Sequence, residues 1–212
     1  MTTEREVTVG AGEVVLPGDL RTPEDAQGLV VFAHGSGSSR KSPRNRHVAS
    51  ILNEAGLATL LFDLLTGEEE RDRSNVFDIE LLGERLLDAT GWVRGQEDLA
   101  TMPIGYFGSS TGAAAALTAA ADLDDGVAAV VSRGGRADMA VDRLGDVRAP
   151  TLLIVGGNDT QVLRMNEEAA AHLQVEHEVH VVEGAGHLFE EPGALDAVAD
   201  RAARWFAEHL AS

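Results

Sequence analysis

Residues 104–116 read IGYFGSSTGAAAA, and the fold turns on which of the two adjacent serines sits at the bend. An apolar run of strand length, Ile104 to Phe107, gives way within a few residues to an alanine-rich helical segment. A chain that passes from a buried strand to a helix so abruptly holds the residue at the apex in a strained conformation. Small residues two before and two after the apex remove the side chains that would clash with the turn. With Ser110 at the apex those positions are Gly108 and Gly112; with Ser109 they are Phe107 and Thr111, which are too large. The G-x-S-x-G register therefore centres on Ser110. The free N–H groups of the helix that starts beneath it favour a developing negative charge.

Similar strand-length apolar runs recur on both sides, at 29–34, 58–63, 127–132, 151–156 and 178–182. Their near-continuous apolar character suits a parallel sheet covered on both faces. Helical patterns separate them. Ser42 and Pro43 make a cap and first turn of a helix that Gly56 ends. Ile79, Leu82, Leu86, Ala89 and Val93 form the apolar stripe of a second. Residues 110–121, 162–173 and 194–210 supply three more. Trp92, Trp205 and Phe206 fall at helical spacing on apolar faces and read as core. The N-terminal EVTVGAGEVVLPG alternates and turns at Gly10 and Gly12, so an antiparallel hairpin is expected on the sheet edge. Residues 66–75, TGEEERDRSN, read as a polar surface loop. This order predicts an α/β, doubly wound, mostly parallel sheet in a single domain, 1–212.

Composition narrows the function. The chain has 212 residues, 44% of them hydrophobic, and no cysteine, which removes disulfides, thiolate zinc sites and cysteine nucleophiles. The N-terminal residues lack a signal-peptide pattern and no apolar run is long enough to span a bilayer, so a cytoplasmic protein with no membrane partner is expected. Seventeen basic against 35 acidic residues leave a net charge of −18, which argues against nucleic acid as a partner. No histidine–carboxylate pair has metal-ligand spacing and no phosphate-cradling loop of Walker type is present, so neither a metal nor a cofactor is expected.

Sites in open parallel sheets form beyond the C-terminal ends of the strands. There the sequence places HGSGSSR (34–40), Asp63, Ser109-Ser110-Thr111, SRGGR (132–136), GGND (156–159) and GAGH (184–187). A serine, an acid and a histidine thus share one edge. A serine alcohol needs a base to take its proton. His187 is the candidate base and Asp159 the acid that orients it, with Asp63 as the rival acid and helix capping as the alternative role for Asp159. An oxyanion needs preorganised donors: the N–H of Thr111 is one, and the HGSG turn offers Ser36, or next Gly37, as the other. His34 reads as a supporting residue of that turn.

Taken together, HGSGS, GSSTG, GGND and GAGH before a final helix resemble the α/β-hydrolase superfamily, and within it the small, lidless dienelactone hydrolase-like branch. The order Ser110, Asp159, His187 is that of this superfamily. The resemblance implies the α/β-hydrolase fold without a cap domain and a serine hydrolase, most often of carboxylic esters. Dienelactone hydrolase itself uses a cysteine nucleophile, so its own reaction is not carried over. Thioester, lactone or peptide hydrolysis, or slow turnover in a ligand-binding, receptor-like homologue, would use the same constellation. The chain is expected to act as a monomer or homodimer.

Cap domains of the superfamily usually follow the strand at 127–132. Here only residues 132–149 separate Val131 from Pro150, so the site is expected to be shallow, open and suited to small soluble esters. Arg40, Lys41, Arg44 and Arg46 follow the oxyanion turn, and Arg133 and Arg136 follow another strand at the same edge. Either these cations pair with nearby carboxylates, or one or two clamp an anionic group of the substrate. Arg40 and Arg133 are the candidates for the second role.

Overall fold

The structure, a computed structural model, describes residues 2–211; Met1 and Ser212 of the expected 1–212 domain lie outside the described residues. The chain opens with a hairpin, β1 (Thr3–Ala11) and β2 (Val14–Thr22), then runs β3 (Leu29–Ala33), α1 (Pro43–Glu54), β4 (Ala58–Phe62), α2 (Arg73–Val76), α3 (Ile79–Arg94), β5 (Ile104–Ser109) and α4 (Thr111–Asp122). It continues with β6 (Ala129–Arg133), β7 (Thr151–Gly156), α5 (Thr160–Ala170), β8 (His177–Val182) and α6 (Ala194–Leu210). The eight strands form one sheet in the order β1-β2-β4-β3-β5-β6-β7-β8. The hairpin is antiparallel and pairs antiparallel with β4; every later pairing is parallel. This is the predicted α/β architecture, with the predicted hairpin on the edge.

Two apolar layers cover the sheet, and strand alternation assigns residues to them. Val31 and Ala33 of β3 face the layer that holds α3 and α4, whereas Val30 and Phe32 face α1 and α6. Fully burying a Val, Leu or Phe side chain contributes about 1.5–3 kcal/mol, so these faces dominate local preference. α4 is buried along Thr111 to Ala121. A helix apolar on all sides belongs in the interior, and its alanines let it lie close to the sheet. That places Ser110, just ahead of α4, at the centre of the strand ends.

Local chemistry sets the ends. The Ser42 hydroxyl accepts from the Asn45 N–H at the start of α1, and Asp78 accepts from Leu81 N–H at the start of α3. The differences from expectation are local, and the helix expected at 162–173 is displaced to Thr160–Ala170. The hairpin turns at Gly12 and Glu13 while Gly10 stays within β1. The strand expected at 127–132 is shifted to Ala129–Arg133. Residues 66–75 are not a plain loop: they carry a 3₁₀ turn at Glu69–Arg71 and the start of α2, because the Asp72 carboxylate caps the Ser74 N–H and Thr66 exchanges hydrogen bonds with Glu69. Between β6 and β7 the chain forms a 3₁₀ segment, Ala137–Asp146, and no cap domain. Among the described residues, no helix is long and apolar enough to cross a membrane.

Candidate active site

Ser110 adopts φ 52° and ψ −121°, the strained conformation expected at the apex of a strand-to-helix turn. A Cβ on Gly108 would lie 2.4 Å from the Ala113 Cα, and one on Gly112 would lie 2.2 Å from the Ala33 carbonyl oxygen. Both glycines are therefore steric requirements of the bend. Neighbouring strands hold it: Ser110 N–H donates to the Arg133 carbonyl, and Arg136 N–H donates to the Ser110 carbonyl. The Ser110 hydroxyl has no protein hydrogen-bond partner among the described residues.

His187 and Asp159 come together across two loops. The His187 Nδ1 lies 2.6 Å from Asp159 Oδ2, the distance of a charge-assisted hydrogen bond. Asp159 occupies the N-cap position of α5, yet its side chain makes no capping hydrogen bond; it is committed to the imidazole instead. The loops are tied to each other. Gly157 N–H donates to Val182 O, Asn158 N–H donates to Ala185 O, and the Asn158 amide donates to Gly184 O. Glu191 accepts from Gly186 N–H, beside His187. Asp63, the rival acid, is elsewhere: it takes the Arg40 guanidinium and the Arg40 N–H, each at 2.7 Å.

Ser110 and His187 line one cleft of about 230 Å³ with Ser36, Arg44, Asn45, Arg133 and Leu188. The turn after β3 forms its other wall. A Cβ on Gly35 would lie 3.2 Å from the Ser110 Cβ, so the turn rests against the serine. Ser36 N–H donates to the Thr111 hydroxyl at 2.9 Å. Gly37 N–H meets no protein acceptor among the described residues, and Thr111 N–H, the first of α4, has no partner within the helix. His34 is the supporting residue expected: its Nε2 accepts from Leu64 N–H, and its Nδ1 lies 3.0 Å from the Gly35 carbonyl. Burial holds its imidazole below the ordinary range, with the Gly35 carbonyl and the charges of Asp63 and Glu70 opposing.

A second hollow, of about 720 Å³, lies across the same turn. It is lined by Ser36 and Thr111 and by apolar Leu64, Leu65, Val76, Phe77 and Leu82. Val76 and Phe77 follow directly on residues 66–75, the segment expected to be a polar loop.

The arginines separate. Arg40 is held by Asp63 at 2.7 Å and Asp19 at 3.6 Å and lines neither hollow, which is the pairing alternative and not the clamp. Lys41 and Arg46 pair with Asp19, and Arg136 with Asp138. Arg133 lines the cleft. Sequence reasoning missed Asn45, a buried residue of α1 whose Oδ1 accepts from both Ser109 Oγ (2.9 Å) and Arg133 Nη2 (3.3 Å); nothing in its sequence context marks it. Glu176, Glu208 and His209 bring carboxylate and imidazole atoms within 4.8 Å of one another. They sit by the start of β7, at the opposite end of the strands from Ser110.

The solved dienelactone hydrolase from Anabaena variabilis ATCC 29413 is 54% identical, covers 99% of both chains and superposes with a TM-score of 0.96. Est1E from Butyrivibrio proteoclasticus shares the fold at 15% identity, with a TM-score of 0.83 over 98% of this chain and 99% of that one. Curated proteins from two Mycobacterium tuberculosis strains, CDC 1551 / Oshkosh and ATCC 25618 / H37Rv, are 61% identical over 207 residues and are provisionally named phosphoribosyl transferases. The chain spans about half the length of these curated relatives, 98% of it matching 47% of each. The profile of the Dienelactone hydrolase family matches residues 16–211, and the chain belongs to that family.

Proposed function

We propose that the protein is a serine hydrolase of small soluble carboxylic esters that works through an acyl-enzyme on Ser110. The observation that carries this reading is the strained serine at the strand-to-helix bend, sharing a cleft with a histidine whose far nitrogen is held by Asp159. Ser110 Oγ attacks the ester carbonyl while His187 Nε2 takes its proton, and Asp159 holds the ring and stabilises the imidazolium. The oxyanion is met by Thr111 N–H and by an amide of the turn after β3. Ser36 N–H fills this role by exchanging the neutral Thr111 hydroxyl for the charged oxygen, with Gly37 N–H as the neighbouring donor. Such an exchange strengthens in the transition state, which is where binding accelerates a reaction. The tetrahedral intermediate collapses, the C–O bond to the alcohol breaks, and His187 protonates the leaving alkoxide. Water then repeats the sequence on the acyl-enzyme and frees the acid. The cycle thus draws on Ser110, His187 and Asp159, on the backbone amides around them and on water.

The partner is thus a small molecule. The acyl group is assigned to the hollow lined by Leu64, Leu65, Val76 and Phe77. Thioesters, lactones and peptides could be cut by the same groups, and a receptor-like homologue would keep them with slow turnover. The name of the M. tuberculosis relatives is assigned to the half of their length that this chain does not match, with residues 1–212 acting as the hydrolase domain.

The test is hydrolysis of an ester, thioester, lactone and amide panel, scored against Ser110→Ala, with p-nitrophenyl acetate to octanoate as the chain-length series. A fluorophosphonate probe read by intact mass should add one adduct, lost in Ser110→Ala. Turnover equal in the wild type and Ser110→Ala, with no adduct, would defeat the reading.

A further inference from the structure

The cleft of Ser110 and His187 contains a positive charge that no protein group neutralises. Arg133 ends β6 and is only 9% exposed. Its Nη2 donates to Asn45 Oδ1, and its Nη1 is buried without a hydrogen-bond partner. Among the described residues no carboxylate stands within ion-pair distance of it. Every other buried or half-buried arginine around the site has an acid: Arg40 has Asp63, and Arg136 has Asp138. The chain carries 35 acidic residues, so lack of acids is not the reason. Leaving a buried cation unpaired is costly. The cost is visible in the Arg133 guanidinium, lowered to about 10 by burial and then by the neighbouring charge of Arg44. Arg44 stands at the rim of the same cleft, 3.4 Å from the exposed Glu190.

We propose that Arg133, with Arg44 at the rim, is an anion subsite of the ester site, and that the favoured substrates carry a carboxylate or phosphate beside the scissile ester. The proposal rests on the serine-hydrolase reading and names its substrate class. Asn45 ties one arm of the guanidinium to Ser109, the residue before the nucleophile, while Arg133 lines the cleft of Ser110 and His187. The subsite is thus indexed to Ser110 by two hydrogen bonds. A guanidinium suits this role because it stays charged when desolvated and presents a planar fork to an anion. The competing role is purely internal: Arg133 as a brace for Asn45, which would serve all esters alike.

Matched esters distinguish the two. Mono-p-nitrophenyl adipate against p-nitrophenyl hexanoate places the anion on the acyl half. Butyryloxyacetate and 2-butyryloxyethyl phosphate, each against ethyl butyrate, place a carboxylate or a phosphate on the alcohol half. For at least one pair, Arg133→Met should lower kcat/KM of the anionic ester by roughly tenfold to a hundredfold, mostly through KM, and leave the neutral twin within about threefold. Arg133→Lys should fall between, having the charge without the fork. Equal losses on anionic and neutral esters in every pair would overturn the proposal. If Arg133→Met does not fold, Arg44→Gln at the exposed rim should give the same selective loss at smaller size, and an indiscriminate loss counts against it. Binding of adipate and of inorganic phosphate to the Ser110→Ala protein reads the subsite without turnover. Arg133→Lys in that background should weaken one of them, and affinity unchanged for both would also overturn it. Failure of the nucleophile reading shows separately, as hydrolysis that survives Ser110→Ala.

Discussion

The Ser36 amide donates to the Thr111 hydroxyl across 2.9 Å, joining the turn after β3 to the first residue of α4. Thr111 therefore contributes a side chain as well as a backbone N–H. Thr111→Val keeps the shape and removes the acceptor. Because Ser36 is exposed, water replaces the lost partner and folding stability should change by less than about 1 kcal/mol. The turn loses its register against the serine, so kcat should fall by about tenfold with KM little altered. Thr111→Ser should retain activity. Steady-state kinetics of the three proteins on one neutral ester decide it.

The bend predicts a sharp contrast between glycines. A methyl group at position 112 would overlap the Ala33 carbonyl, and one at 108 the α4 backbone. Gly108→Ala and Gly112→Ala should each cost about 2–5 kcal/mol or prevent folding, since backbone and not a flexible side chain must move. Gly91 lies on the exposed side of α3, where an added methyl meets nothing within 4 Å. Gly91→Ala should stabilise by about 0.5–1 kcal/mol through helix propensity. Urea unfolding midpoints provide the comparison.

The two candidate acids should behave differently. Asp159→Asn keeps the size but loses the charge on His187, and kcat should fall by roughly a thousandfold to ten-thousandfold. Asp63→Asn breaks the pair with Arg40 near the turn, so its main effect should be on stability, with kcat within about fivefold of wild type. A large catalytic loss at Asp63 with little at Asp159 would reverse the assignment.

His34 makes stability depend on pH. Burial lowers its pKa in the folded protein below the ordinary value of 6.5, so the unfolded chain takes up the proton first. Its contribution is fully present above pH 6.5 and is lost as the pH falls from there through the lower folded value. Unfolding free energy should decline over that interval, and His34→Gln should flatten the decline while losing the bond to Leu64 N–H. A wild-type profile parallel to that of His34→Gln between pH 5 and 7 would remove His34 as the cause.

Much of this was legible in the linear chain. The apolar runs name the strands because a residue buried on both faces of a sheet has no polar alternative. Gly108 and Gly112 single out Ser110 because the steric rule of the bend acts over five consecutive residues. Asp159 and His187 could be placed near Ser110 because parallel strands deliver their C-terminal loops to one edge. Residues 66–75 read as a loop in the sequence because their helical turns are held by short side-chain hydrogen bonds, at Asp72 and Glu69, that carry no apolar period.

The sequence by itself determined the parallel core, the bend and the order of its chemical groups, because each follows from contacts between near neighbours or from strand direction. Only the tertiary structure decided which cations are spent. Arg40 and Arg133 look alike in the chain, yet Arg40 meets Asp19 from β2 and Asp63 from the end of β4, whereas Arg133 meets Asn45 and no acid. Whether a buried charge finds its counter-charge depends on which distant elements the sheet brings beside it, and that is a property of the register between strands and not of either arginine's neighbours in sequence.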